Sequence, residues 1–152
     1  MNSTSPTNQA ILELAARLGA ADVGGPLSAD EASLLSSVAD LPSVVTDAEV
    51  NSARQSLLAG GDPLGALFYA HRDADERRSA GAVYTPDAIV DPMVSWTIDQ
   101  GVSRIVDAGS GSGRYTSAVL RIDSTMPIVA VDLDPLATLM TRAAVAVLGG
   151  SA

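Results

Sequence analysis

An acidic residue followed by glycines at alternate positions stands in the run Asp107-Ala108-Gly109-Ser110-Gly111-Ser112-Gly113. Because glycine has no Cβ, such a loop can turn sharply and let a ligand touch bare main chain. Residues 102–106, before the loop, are rich in β-branched side chains and predict a short strand. Residues 115–120, after it, predict a helix whose free N–H groups face back towards the loop. Strand, loop and helix together predict a nucleotide-type cradle.

Three classes of nucleotide-binding loop could account for these glycines. The dinucleotide-binding pattern is Gly-x-Gly-x-x-Gly, whereas the spacing here is Gly-x-Gly-x-Gly. A phosphate-binding P-loop ends in Gly-Lys-Ser or Gly-Lys-Thr, and the chain contains no lysine. The stretch from Asp107 to Gly113 resembles the S-adenosylmethionine loop of Rossmann-like methyltransferases, acid-x-Gly-x-Gly-x-Gly, at every fixed position. A glycine-rich turn that binds no ligand is the alternative.

A second acidic position follows the apolar run 127–131, which predicts a parallel strand covered on both faces. Asp132 stands at the carboxyl end of that strand, where α/β sheets bind ligands. A carboxylate there can accept hydrogen bonds from both hydroxyls of a ribose. Leu133 would offer an apolar edge to an adenine ring, and Asp134 is expected to cap the final helix.

The segment from Gly81 to Val94, GAVYTPDAIVDPMV, resembles the segment that precedes the glycine loop in N6-adenine DNA methyltransferases of the gamma arrangement. In that family a Tyr-Thr-Pro or similar element packs over the methionine end of the cofactor. The resemblance covers about residues 78–143, and the elements stand in the family's order. It implies that S-adenosylmethionine is bound by Tyr84, Thr85, Pro86, Asp107, Gly109, Gly111, Gly113, Asp132 and Leu133.

Two interpretations stay open for Asp107. The resemblance implies that its carboxylate takes the methionine amino group, directly or through water. The same carboxylate could instead accept hydrogen bonds from amides of its own loop, which is physically just as favourable. Tyr84 is likewise expected either to flank the cofactor or to pack in the core.

The first half of the chain contains repeated helix-start signals. Ser28 and Thr46 are each followed three residues later by glutamate, which is a capping box, and Asp62 can cap a further helix. Helices are predicted over about 7–18, 28–40, 46–58, 62–78 and 87–98. Trp96 is expected to be the large core residue of the last of these.

The second half predicts helix, strand, helix, strand, helix, which is the opening of a doubly wound α/β domain. The predicted fold class is therefore α/β. It is the beginning of a Rossmann-like methyltransferase sheet, with two parallel strands and their helices, preceded by an all-helical extension. We place the helical extension at residues 1–78 and a partial S-adenosylmethionine-binding domain, without its C-terminal part, at 79–152.

Composition excludes several kinds of site. Eighteen acidic residues against nine arginines give a net charge of −9, which is unfavourable for contact with nucleic-acid phosphates. The absence of cysteine excludes disulfides and thiolate chemistry, and one histidine, His71, makes a poor metal site, so no metal is predicted. No secretory signal is expected, and no run of about 18 apolar residues occurs in the sequence. A cytoplasmic protein without a membrane partner is expected.

The family's catalytic element, Asn/Asp-Pro-Pro-Tyr/Phe, holds the target amino group and stacks the flipped base. No such tetrapeptide occurs in the chain, so no catalytic residue is predicted and the chain alone is expected to be inactive. It looks like the front piece of a methyltransferase. DNA contact is expected only through a missing C-terminal part or a partner chain, and self-association or a complementing subunit is expected.

The leading interpretation is the S-adenosylmethionine-binding portion of a DNA adenine-N6 methyltransferase from a restriction-modification or phage-defence system. One alternative is the N-terminal part of a protein-glutamine methyltransferase acting on release factors, a family that also carries an N-terminal helical domain. Another is a non-catalytic module that binds cofactor or docks a partner. The Tyr84-Thr85-Pro86 element favours the DNA interpretation.

Overall fold

A computed structural model of the chain describes residues 5–70 and 85–149. The elements in these ranges are α1 (Pro6–Leu18), α2 (Ala29–Ala39), α3 (Asp47–Leu58), α4 (Pro63–Ala70), α5 (Asp87–Asp99), β1 (Ile105–Ala108), α6 (Arg114–Ile122), β2 (Ile128–Val131) and α7 (Pro135–Leu148). This is the predicted mixed α/β order. No helix in the described ranges is long and apolar enough to cross a membrane.

The helix starts before residue 70 follow the local capping signals. Ser28 accepts a hydrogen bond from the Glu31 N–H at 3.2 Å, and the Glu31 carboxylate accepts one from the Ser28 N–H at 2.7 Å. Thr46 and Glu49 form the same reciprocal pair at the start of α3. Both predicted capping boxes are confirmed, and residues 5–70 contain helices and no strand, as expected.

The final helix α7 is the centre of the larger apolar cluster. Leu139, Met140 and Ala143 are fully buried among side chains from α1, α3 and α4, which include Ile11 and Leu57. Helix α7 also packs against α2 and α6. The N-terminal helices are thus attached to the element that follows β2. The division of the chain at residue 78 remains a prediction, and the cluster contains side chains from both sides of it.

The two strands form a parallel pair, in register from Ile105 opposite Ile128 to Ala108 opposite Val131. The predicted adjacent parallel strands are therefore confirmed. One face of β1 is covered by Val94 and Val119, which pack with Ile105. On β2 the expectation of cover on both faces is wrong, because Val129 and Val131 remain 48% and 50% exposed. The described helices pack on one face of the pair only.

The predicted core position of Trp96 is also wrong, since this side chain is 66% exposed. Val90 and Val94, four residues apart on one stripe of α5, are the residues that enter the core. Trp96 lies two residues after Val94, about 200° around the helix at 3.6 residues per turn. Its size favoured burial, but its angular position turns it to the opposite side of α5.

Candidate ligand site at the glycine loop

The three glycines of the loop all adopt left-handed backbone conformations, with φ values of 78° at Gly109, 58° at Gly111 and 83° at Gly113. Such φ values are strained for residues with a Cβ. A Cβ at Gly109 or Gly111 would meet no atom within 4 Å, whereas one at Gly113 would lie 3.0 Å from the Thr141 Cα. The first two glycines thus leave bare main chain beside open space. The third permits close packing of the loop against α7.

The loop is anchored to the carboxyl end of β2. The N–H groups of Gly109 and Ser110 both donate to the Val131 carbonyl, at 2.7 Å and 3.0 Å. Gly109 and Asp132 therefore lie at the same edge of the sheet, as the sequence predicts. Parallel register is the cause, because it brings the end of β1 beside the end of β2.

Asp132 joins the loop directly. Its Oδ2 accepts from the Gly111 N–H at 2.8 Å, and its Oδ1 accepts from the Asp134 N–H at 2.9 Å. A carboxylate oxygen can accept about two hydrogen bonds, so each oxygen keeps acceptor capacity after these contacts. Asp132 can therefore hold the loop and still receive two hydroxyl donors, which is the arrangement that a ribose requires.

Asp107 is engaged with the helix that follows the loop. Its Oδ2 accepts from the Thr116 hydroxyl at 2.6 Å and from the Thr116 N–H at 3.2 Å. This carboxylate caps α6, whose N-cap residue Gly113 has no side chain. The main-chain N–H that donates to Asp107 belongs to the first turn of the helix and not to the glycine loop itself. Its expected contact with a cofactor amino group remains a prediction.

Electrostatics at this edge favour a cationic partner. Burial raises the pKa of the Asp107 carboxyl above its ordinary value, and the two Thr116 hydrogen bonds partly offset that effect. The nearby charge of Asp132 raises the pKa of Asp107 further. Two carboxyl groups close enough to repel each other would be stabilised by a positively charged group placed between them.

The serines between the glycines were not recognised as site residues in the sequence. Ser110 and Ser112 are each only 8% exposed. The Ser110 Oγ lies 3.2 Å from the Thr141 hydroxyl oxygen, and the Ser112 hydroxyl donates to Asp62 Oδ2 at 2.6 Å. A small hydroxyl residue at both positions between the glycines was the available signal, since such side chains can be buried only with hydrogen-bond partners.

The Tyr84-Thr85-Pro86 element, which the resemblance places over the methionine end of the cofactor, lies partly outside the described residues, because Tyr84 is not among them. Thr85 is half-buried, and Pro86 is exposed at the N-cap of α5. Helix α5 contacts α6 through its Thr97 hydroxyl, which lies 2.6 Å from the Tyr115 hydroxyl. The cofactor contacts expected of Tyr84, Thr85 and Pro86 remain predictions.

The residues after Asp132 separate into an exposed position and a structural one. Leu133 is completely exposed, at 102% of its reference area, so an adenine ring could reach it. Asp134 accepts from the Leu136 N–H at 2.9 Å and is the N-cap of α7, which confirms its predicted role. Within residues 5–70 and 85–149, no cluster of three or more histidine, aspartate or glutamate side chains is arranged to hold a metal ion.

A cavity of about 270 Å³ between β2, α6 and α7 is lined by neither of these carboxylates. Its walls include Leu120, Met126, Ile128 and Val145, and no acidic side chain lines it. A nucleoside there would find no carboxylate for its ribose. The glycine-loop edge, with two carboxyl groups and main chain that borders open space at Gly109 and Gly111, is therefore the better candidate for a nucleoside ligand.

Comparison with known proteins supports a methyltransferase relationship. Over 83 residues the chain is 48% identical to the type II methyltransferase M.XamI of Xanthomonas campestris pv. amaranthicola. The match covers 54% of this chain and 14% of that protein. No family model and no solved structure matches the chain. Over about half of its length, this chain is thus similar to a small part of a type II methyltransferase.

Proposed function

We propose that the chain forms the S-adenosylmethionine-binding portion of a DNA adenine-N6 methyltransferase belonging to a restriction-modification or phage-defence system. The observation that carries this proposal is the meeting of the glycine loop and Asp132, where the Gly111 N–H lies 2.8 Å from the carboxylate. The similarity to a type II methyltransferase supports the methyltransferase part of this proposal.

The residues at this edge fit the chemical groups of S-adenosylmethionine. Asp132 would accept from the ribose hydroxyls, and Leu133 would contact the adenine ring. Gly109 and Gly111 leave space for the amino-acid end beside bare main chain. Asp107 and Asp132 add negative charge where the ligand carries an amino group and a sulfonium.

When bound, the cofactor supplies a methyl group that is activated by its sulfonium. This chain's own contribution is to bind and orient it, since in-line transfer to an amine depends on the relative position of the reactants. The acceptor amine would be held by groups of the kind found in the family's Asn/Asp-Pro-Pro-Tyr/Phe element, which the 152 residues do not contain.

The similarity to a type II methyltransferase favours a DNA acceptor over the protein-glutamine alternative. The direct test of the cofactor assignment is calorimetric titration of the chain with S-adenosylhomocysteine, NAD and ATP. We expect binding of S-adenosylhomocysteine only, because the loop lacks both the spacing for a dinucleotide and the lysine for a triphosphate. Binding of NAD in preference to S-adenosylhomocysteine would overturn the proposal.

A further inference from the structure

Asp62, at the start of α4, contacts the glycine loop across 50 positions of sequence. Its Oδ2 accepts from the Ser112 hydroxyl at 2.6 Å and lies 3.6 Å from an Arg114 Nη1. Its Oδ1 accepts from the Gly65 N–H at 2.8 Å, which is the helix cap that the sequence predicts. One carboxylate therefore caps a helix of the N-terminal half and also holds the loop.

The surroundings of Asp62 are shaped around its carboxylate. The side chain is 9% exposed and that of Arg114 is 13% exposed. A Cβ at Gly65 would lie 2.1 Å from Asp62 Oδ2, so a side chain at Gly65 would displace the carboxylate. Burial of a charged carboxylate is costly unless donors and an opposite charge compensate it. Ser112, Gly65 and Arg114 supply that compensation, which makes this a built contact and not a chance surface approach.

The loop's other described anchors come from the sheet and from α7. Val131 and Asp132 accept from loop amides, and the Thr141 hydroxyl donates to the Gly111 carbonyl at 3.1 Å. Ser112 stands between Gly111 and Gly113, which as glycines have the greatest backbone freedom to lose. The Asp62 contact restricts this part of the loop from the side of the N-terminal helices.

We propose that Asp62 is a positioning residue for cofactor binding, through which the N-terminal helices hold the glycine loop in its binding conformation. This inference rests on the proposed function of the loop. If Ser112 is released, the loop spends part of its time in other conformations. The apparent dissociation constant for the cofactor then rises in inverse proportion to the fraction of molecules whose loop is in the binding conformation.

Two variants separate the loop contact from the helix cap. Ser112→Ala removes the hydroxyl donor and leaves the contacts of Asp62 with Gly65 and Arg114 in place. Asp62→Ser keeps a residue suited to the N-cap, but its short side chain cannot reach Ser112. Asp47→Ser is the matched control, because it also removes an acid near the start of a helix, one paired with Arg17 at the surface.

The first measurement is hydrogen exchange of the amides of residues 109–113 in the cofactor-free chain. We expect faster exchange in Ser112→Ala and Asp62→Ser than in the parent and Asp47→Ser. The second measurement is calorimetric titration with S-adenosylhomocysteine. The dissociation constants of both variants should be at least about fivefold higher than that of the parent. The dissociation constant of the double variant should not exceed the larger of the two single-variant constants, because both changes break the same contact.

Unchanged loop exchange in a folded Ser112→Ala variant would overturn the inference, whatever happens to Asp62→Ser. Equal affinity of parent and Ser112→Ala would also overturn it. A parent chain that binds no S-adenosylhomocysteine would contradict the proposed function instead. The exchange comparison would then still decide whether Asp62 holds the loop.

Discussion

The main-chain N–H of Gly111 donates to the Asp132 carboxylate at 2.8 Å, which ties the glycine loop to the residue after β2. The same carboxylate accepts from the Asp134 N–H, at the start of α7. Loop, strand end and helix start are thus connected through one side chain. A change at Asp132 should therefore affect both the ligand contact and the shape of the loop.

Replacement of Asp132 by alanine should weaken S-adenosylhomocysteine binding by about 1–3 kcal/mol, the cost of losing hydrogen bonds to a charged acceptor. Asp132→Asn should bind with intermediate affinity, because its amide oxygen can still accept from Gly111. Calorimetry gives both values. Asp123→Asn is the matched control, since Asp123 is the C-cap residue at the other end of α6. An Asp132→Ala variant with the parent's affinity would refute the role assigned to this carboxylate.

Alanine substitutions at Gly111 and Gly113 should have different effects. Gly113→Ala should lower the free energy of unfolding by more than about 2 kcal/mol, because left-handed strain adds to a 3.0 Å approach to Thr141. Gly111→Ala meets open space, so only the strain of about 1 kcal/mol applies. Urea unfolding measures both changes. Gly111→Ala should in addition weaken cofactor binding, and equal destabilisation by the two variants would contradict this division.

Ionisation of Asp107 should make the stability of the cofactor-free chain depend on pH. Its pKa is raised in the folded chain by burial, so folding favours the protonated form. The protonated Asp107 therefore contributes to the free energy of unfolding. This contribution is complete below the pKa of Asp107 in the unfolded chain, near 3.8, and is lost as the pH rises through its pKa in the folded chain. Asp107→Asn lacks this ionisation and still offers an oxygen to Thr116. The difference in unfolding free energy between parent and variant should therefore move in the variant's favour as the pH rises from about 3 to 7. A difference independent of pH would refute the raised pKa.

The exposed face of the two-stranded sheet should promote association of the isolated chain. Val106, Val129 and Val131 are 64%, 48% and 50% exposed on that face, and apolar strand surfaces favour pairing with other chains. Substitution of Val129 and Val131 by threonine should therefore reduce self-association in sedimentation experiments over a range of concentrations. Leu58→Thr, at an apolar residue of α3 that is 50% exposed, is the control. Equal association of all three proteins would place the contact elsewhere.

The 152-residue chain by itself should transfer no methyl group to DNA. It contains no Asn/Asp-Pro-Pro-Tyr/Phe element to hold the amine, and its net charge of −9 opposes phosphate contact. A labelled-methyl assay on adenine-containing duplex DNA tests this. The assay is run with and without a polypeptide that carries the part of M.XamI outside the matched 83 residues. Incorporation should require the added polypeptide. Substantial incorporation by the chain alone would show that other residues hold the acceptor.

Local sequence determined the elements and the position of the loop. The capping boxes at Ser28 and Thr46 and the cap at Asp134 act within a few residues of themselves, so the sequence contains both partners of each contact side by side. The alternating glycines likewise predicted a sharply turned loop, and their positive φ values agree. Such features depend on backbone geometry over one turn of chain.

Tertiary structure alone decided which side chains meet and which faces are covered. Asp62 reaches Ser112 across 50 positions, and Gly113 is limited by Thr141 of a later helix, so neither contact could be read from neighbouring residues. The large side chain of Trp96 is typical of a core residue and is nevertheless exposed, because α5 packs through the face that contains Val90 and Val94. Sequence periodicity marks a face as apolar, but burial of that face requires a neighbouring element, and only the fold brings one to it.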